Sequence, residues 1–168
     1  IVPNNSKKIY QTLSVSYSAI ETPTWALLLA ESCRNKGFNV KIIDTTAENL
    51  SDDDTYQRLK DFSPRLISFV VYGQNVNSGT TNMSGAIRLS NFLKSKNKNF
   101  LISFVGSHVQ ALPLETLKKE KSIDIGFTNE GVYSLQNLLK TNLELNDLKN
   151  TKGIVFRNND EIILNDAE

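Results

Sequence analysis

At 168 residues the chain can support one core but not two ordinary domains, and its 19 basic and 18 acidic side chains leave a formal net charge of +1. The lysines are scattered (Lys7, Lys8, Lys94, Lys96, Lys98, Lys118, Lys119, Lys121) instead of forming one stripe with aromatics, which argues against nucleic-acid binding. No apolar run approaches the roughly 18 residues of a membrane span, the start Ile1-Val-Pro-Asn-Asn lacks a signal pattern, and Cys33 alone can build neither a disulfide nor a Cys-based metal cluster. These features lead to the expectation of a soluble, cytoplasmic protein with no membrane partner. A first residue Ile1 in place of Met suggests a chain taken from something longer.

Strand-like and helix-like segments alternate. Residues 9–17 (Ile-Tyr-Gln-Thr-Leu-Ser-Val-Ser-Tyr) are rich in β-branched and aromatic side chains and are expected to form the first strand. A helix follows over 25–35, opened by Thr22-Pro23-Thr24 and ended by Gly37. Residues 38–44 (Phe-Asn-Val-Lys-Ile-Ile-Asp) read as the second strand, and the acidic run Ser51-Asp-Asp-Asp54 opens a helix reaching about Phe62, its carboxylates facing the positive end of the helix dipole. Pro64 breaks that helix before a third, apolar strand over 66–72. An amphipathic helix over 83–94, a buried strand over 100–105, a short helix over 114–119, a fifth strand over 123–127 and a helix over 132–139 follow. Residues 141–152 look like a linker, and 153–157 with 160–164 look like two strands around a tight turn at Asn158-Asn159. Five βα units and a terminal hairpin imply a doubly wound, flavodoxin-like (Rossmann-like) α/β fold. Its parallel sheet of five strands would run in the order 2-1-3-4-5, with residues 1–150 as the domain and 151–168 as a β-hairpin extension.

In such a sheet the loops after the strands gather at the carboxyl edge, where ligands bind. Four loops there carry glycine, proline and polar residues: 18–25, 72–83, 106–113 and 128–131. The first contains neither G-x-G-x-x-G nor G-x-x-x-x-G-K-[ST], so a nucleotide-binding reading loses its support. A phosphoacceptor receiver would need an aspartate where the third strand instead ends in Tyr72-Gly73. What remains is an uncharged edge on which Gly73, Gly79, Gly85 and Gly106 allow close backbone approach while Ser78, Thr80, Thr81, Asn82 and Ser107 offer donors and acceptors. A large planar ligand rimmed with amides suits that edge.

Several stretches, in order, resemble the N-terminal cobalamin-binding domain of cobalamin-dependent radical S-adenosylmethionine enzymes. They are Ile9-Tyr-Gln-Thr-Leu-Ser, Ala19-Ile-Glu-Thr-Pro-Thr-Trp-Ala26, Tyr72-Gly-Gln-Asn75 through Thr80-Thr-Asn-Met83, Val105-Gly-Ser-His-Val-Gln-Ala-Leu-Pro113, and Glu130-Gly131 ahead of Leu135. The resemblance implies a corrinoid over the carboxyl edge, its nucleotide tail tucked between strands and helices. It further implies cofactor contacts from Glu21, Thr22, Pro23 and Trp25; from Tyr72, Gly73, Gln74, Asn75, Ser78, Thr80, Thr81, Asn82 and Met83; from Gly106, Ser107, His108, Ala111 and Leu112; and from Glu130 and Gly131. The Gly153-Ile-Val-Phe-Arg157 hairpin resembles the segment that leads towards a C-terminal radical domain. S-adenosylmethionine and a 4Fe-4S cluster would belong to that domain, because one cysteine cannot supply the Cys-x-x-x-Cys-x-x-Cys cluster motif. The expected role is thus the cofactor-binding part of a methyltransferase-like or related enzyme, with no catalytic or metal-ligating residue of its own.

The chain departs from the family pattern at Gly106-Ser107, where paired glycines are usual, and at Asn129-Glu130-Gly131, where Gly-Glu-Gly is usual and asparagine tolerates positive φ. The Asp-x-His-x-x-Gly signature of base-off cobalamin proteins is missing, so no histidine of the first loop serves as a lower ligand. His108, the single histidine, is read as a hydrogen-bonding residue that contacts the cofactor or merely supports its loop. Asp52, Asp53 and Asp54 are read as a solvated helix start, and Trp25 as core, site wall or both. Two other readings stay open: a stand-alone binding or sensor module of altered specificity, and a flavodoxin-like enzyme using flavin or nucleotide.

Overall fold

The structure, a computed structural model, describes residues 1–6, 10–17, 20–73 and 76–168. A 3-10 turn Gln11–Leu13 leads into α1 (Ser14–Tyr17), followed by α2 (Thr24–Arg34), α3 (Asp52–Phe62), β1 (Ile67–Val70), α4 (Val76–Lys96) and β2 (Ile102–Val105). Then come α5 (Ser107–Ala111), α6 (Pro113–Lys119), β3 (Ile125–Phe127), α7 (Val132–Leu139), α8 (Leu145–Asn150), β4 (Ile154–Asn158) and β5 (Glu161–Leu164). The strands form one sheet in the order β1-β2-β3-β4-β5. β1 pairs in parallel with β2, Ile67 opposite Ile102, and β2 with β3, Ser103 opposite Ile125. β4 joins the far edge of β3 antiparallel, Phe127 opposite Ile154, and β5 returns along it as a hairpin.

Successive strand residues point to opposite faces, and both faces are covered. Ile67, Phe69, Val71, Ile102 and Phe104 pack beneath Leu59 of α3 and Met83, Ala86, Leu89 and Leu93 of α4, with the Phe69 and Phe104 rings stacked at 4.9 Å. Val105, Ile125, Phe127, Ile154 and Phe156 pack on the other face under Leu29 and Cys33 of α2 and Leu135 and Leu138 of α7. Removing one of the fully buried phenylalanines would cost about 3–5 kcal/mol. Asp124 fastens the strand bottoms together: its carboxylate accepts from the Ile102 amide at 2.7 Å and from the Lys94 ammonium at 2.9 Å.

Five expectations need correction. Residues 10–17 are helical, not a strand. Their β-branched content is overridden because Gln11, Thr12 and Leu13 have no buried face, and because the sheet position beside β1 is taken by Ile1 and Val2. The Val70 amide donates to Ile1 O (2.9 Å), the Val2 amide to Ile43 O (2.9 Å) and the Thr45 amide to Val2 O (3.0 Å). Among the described residues, the second expected strand, 38–44, forms a single parallel bridge, between Asp44 and Val2. Instead of 2-1-3-4-5, the described ladder therefore holds the third to fifth expected strands and the hairpin. The helix expected at 83–94 begins earlier, at Val76, and the linker 141–152 contains α8, opened by a Glu144–Asp147 capping box.

Candidate functional site

Tyr72, two residues past the end of β1, is the hub of the carboxyl edge. Its ring stacks on Trp25 of α2 with centroids 4.8 Å apart and planes 27° apart. Its hydroxyl accepts from Gln110 Nε2 at 2.7 Å. Burial, then the nearby Glu130 carboxylate, raise the phenol to about pKa 12 against the opposing pull of Gln110. One ring thus ties the loop that follows β1 to α5, which follows β2, and to the start of α2. Alongside it, Thr80 Oγ1 lies 3.2 Å from His108 Nδ1. The Asn82 side-chain amide reaches Tyr72 O at 3.5 Å.

The glycines divide by what surrounds them. A Cβ on Gly106 would come within 2.3 Å of Val71 O, and one on Gly79 within 2.1 Å of Ser107 Oγ. These two allow the loops after β1 and β2 to touch each other, so the close approach expected towards a ligand is made to protein. Gly85 is likewise pressed against Asn4, whose carbonyl a Cβ would meet at 2.4 Å. Gly131 differs: its φ of +78° caps α7 in the left-handed region, and its amide donates to Asn129 Oδ1 at 2.7 Å. Asn129 therefore acts through its side chain, not through a positive φ of its own.

Trp25 and Tyr72 are brought together, as are Thr80 and His108, and Glu130 is near enough to Tyr72 to act on its phenol. Glu21 and Thr22 are exposed ahead of α2, Pro23 caps that helix without a side-chain hydrogen bond, and Ala111 and Leu112 are exposed at the end of α5. Gly73 and Ser107 are half-buried in the same edge. Ser78 and Thr81 fall in the first turns of α4. Gln74 and Asn75 lie outside the described residues. Met83, at 4% exposure, packs in the core between α4 and the sheet. Sequence reading did not single out Gln110, a polar residue whose signal was its place in the loop after β2. It also missed residues 3–6, the true first loop of the sheet, where Asn5 donates to Thr81 O at 2.7 Å and accepts from Ser84 Oγ at 3.0 Å.

The profile of the B12 binding domain matches residues 10–139, well over half of the chain. The chain belongs to the B12-binding domain family. This B12-binding domain is 26% identical over 161 residues to an uncharacterized methyltransferase of Pyrococcus horikoshii, covering 92% of this chain and 34% of that protein. It is 27% identical over 142 residues to the anaerobic magnesium-protoporphyrin IX monomethyl ester cyclase of Synechocystis, covering 84% of this chain and 27% of that protein. Its fold matches the radical S-adenosylmethionine methyltransferase TsrM of Kitasatospora setae with a TM-score of 0.65 at 16% identity, covering 88% of this chain and 28% of that one. The domain thus spans about a third or less of the length of these relatives.

The edge fits a corrinoid on its own chemistry. An aromatic pair offers apolar contact, Trp25 and Leu112 remain 37% and 45% exposed, and Thr80, His108 and Gln110 offer polar groups for peripheral amides. Among the described residues no group of three His, Cys, Asp or Glu side chains could hold a metal ion. No helix among the described residues is long and apolar enough to cross a membrane.

Proposed function

We propose that this domain holds the corrinoid of a B12-dependent radical S-adenosylmethionine enzyme over the carboxyl edge of its sheet. The supporting observation is that Tyr72 joins the segments after β1 and β2 to α2, within the stretch that matches the B12 profile. When bound, the corrinoid supplies a cobalt centre for one-carbon or one-electron chemistry. The chain supplies the seat. Trp25 and Tyr72 form an apolar wall, Gln110 fixes the phenol, and the Thr80–His108 pair offers its remaining hydrogen-bonding capacity to the ligand rim. Glu21, Thr22, Pro23, Gly73, Ser107, Ala111, Leu112, Glu130 and Gly131 frame the same edge. S-adenosylmethionine and the 4Fe-4S cluster belong to a C-terminal radical domain of the same polypeptide, with β4 and β5 on the path towards it. The likeness to a methyltransferase and a cyclase, each about three times longer, supports that reading.

The test is direct. The purified chain is incubated with hydroxocobalamin and separated by gel filtration, and the visible spectrum of the protein peak is recorded. A co-eluting corrin spectrum is the expected result. A colourless peak from both this chain and its full-length parent, or a yellow flavin-bearing protein, would contradict the proposal.

A further inference from the structure

Beyond β5 the chain returns to the carboxyl edge. The Gly153 amide donates to Asp166 O at 2.8 Å and the Gly153 carbonyl accepts from the Thr128 amide at 2.9 Å, so Gly153 stands between the loop that follows β3 and the tail 165–168. A Cβ on Gly153 would come within 2.4 Å of Ser134 Oγ and 2.7 Å of Asn129 Nδ2, which shows how tightly these two polar groups are pressed onto that backbone. Ser134 of α7 is fully buried. Its hydroxyl has one proton to give, and Glu168 Oε2 at 2.6 Å takes it ahead of Asn129 Oδ1 at 3.4 Å. Glu168 Oε1 accepts from Asn137 Nδ2 at 2.9 Å, while Asn137 Oδ1 accepts from Lys140 Nζ at 3.3 Å.

The direction of each bond in this series follows from the carboxylate. A carboxylate only accepts hydrogen bonds, so Ser134 donates to Glu168 and keeps its lone pairs for Asn129 Nδ2, at 3.2 Å. The other end of the amide, Oδ1, is thereby turned to the Gly131 amide, which donates to it at 2.7 Å. Between these two residues stands Glu130, near enough to Tyr72 to act on its phenol. We propose that Glu168 is a positioning residue for the corrinoid edge: acting through Ser134, its carboxylate fixes which end of the Asn129 amide faces Gly131, and so the shape of the turn 129–131. This inference rests on the corrinoid reading of that edge. It makes the tail beyond the hairpin a working part of the cofactor loop.

Reversing the polarity of the series tests it. In Glu168→Gln one of the two partners must face an NH2 group. Asn137 is held as a donor by Lys140, so the NH2 turns to Ser134, which then donates to Asn129 and swings the Asn129 NH2 towards Gly131, where two donors meet. In Asn129→Asp alone, two carboxylates compete for the single Ser134 proton. The double variant satisfies the reversed series, because its new carboxylate accepts from Ser134 and from Gly131 together, and it keeps the parent's charge. Amide hydrogen exchange of Gly131 is followed by NMR in the parent chain, both single variants and the double, and hydroxocobalamin affinity is measured on the same samples. Exchange is expected to quicken by at least about tenfold in each single variant and to return to within about twofold of the parent in the double, with affinity falling and recovering in step. Side chains that act independently would add their effects and give no recovery. Unchanged exchange in Glu168→Gln, or no recovery in the double variant, would overturn the proposal, as would equal affinity in all four forms. Failure of every form to bind hydroxocobalamin, with the exchange pattern intact, would contradict the corrinoid reading and leave the control of the turn by Glu168 supported.

Discussion

Tyr72 carries the most specific consequences. Tyr72→Phe keeps the stack on Trp25 and removes the acceptor of Gln110, and is expected to cost about 1 kcal/mol in a urea titration. Tyr72→Ala removes the stack as well, and hydroxocobalamin affinity should fall by at least about tenfold in an equilibrium dialysis measurement. Gly106 reports on something else. Its Cβ would press on Val71 O, so Gly106→Ala should lower stability by about 1–3 kcal/mol, measurable as a reduced denaturation midpoint. A Gly106→Ala protein of unchanged stability would show that the loop after β2 can move away from β1. A glycine in sequence announces that some backbone comes close; only the fold shows whether the neighbour is ligand or protein.

Among the elements, those with long apolar runs or strong caps were legible: β1 and β2 from their unbroken apolar sequences, and α3 from Ser51-Asp-Asp-Asp54. In α3, Ser51 Oγ accepts from the Asp54 amide and Asp54 reciprocates at the Ser51 amide. Ser51→Ala should cost about 1 kcal/mol of stability in thermal or urea unfolding, with the site unaffected. Residues 10–17 misled because composition favours a strand while no partner is available. Ile1 and Val2 pair at that sheet position, and taking 10–17 as the strand also moved the first loop of the edge from residues 3–6 to 18–25. The early start of α4 was hidden by Ser78, Gly79 and Asn82, residues that favour loops; Gly79 sits inside the helix because Ser107 presses against it.

For the whole molecule, the sole tryptophan, Trp25, lies against Tyr72 at the carboxyl edge, where the corrinoid is proposed to sit. Titrating hydroxocobalamin while following Trp25 fluorescence tests the central claim most directly. Saturable quenching, lost together with the visible corrin spectrum of the protein peak in Tyr72→Ala, is the predicted result. A corrinoid that co-elutes with the chain yet leaves Trp25 emission unchanged would place it elsewhere and contradict the account.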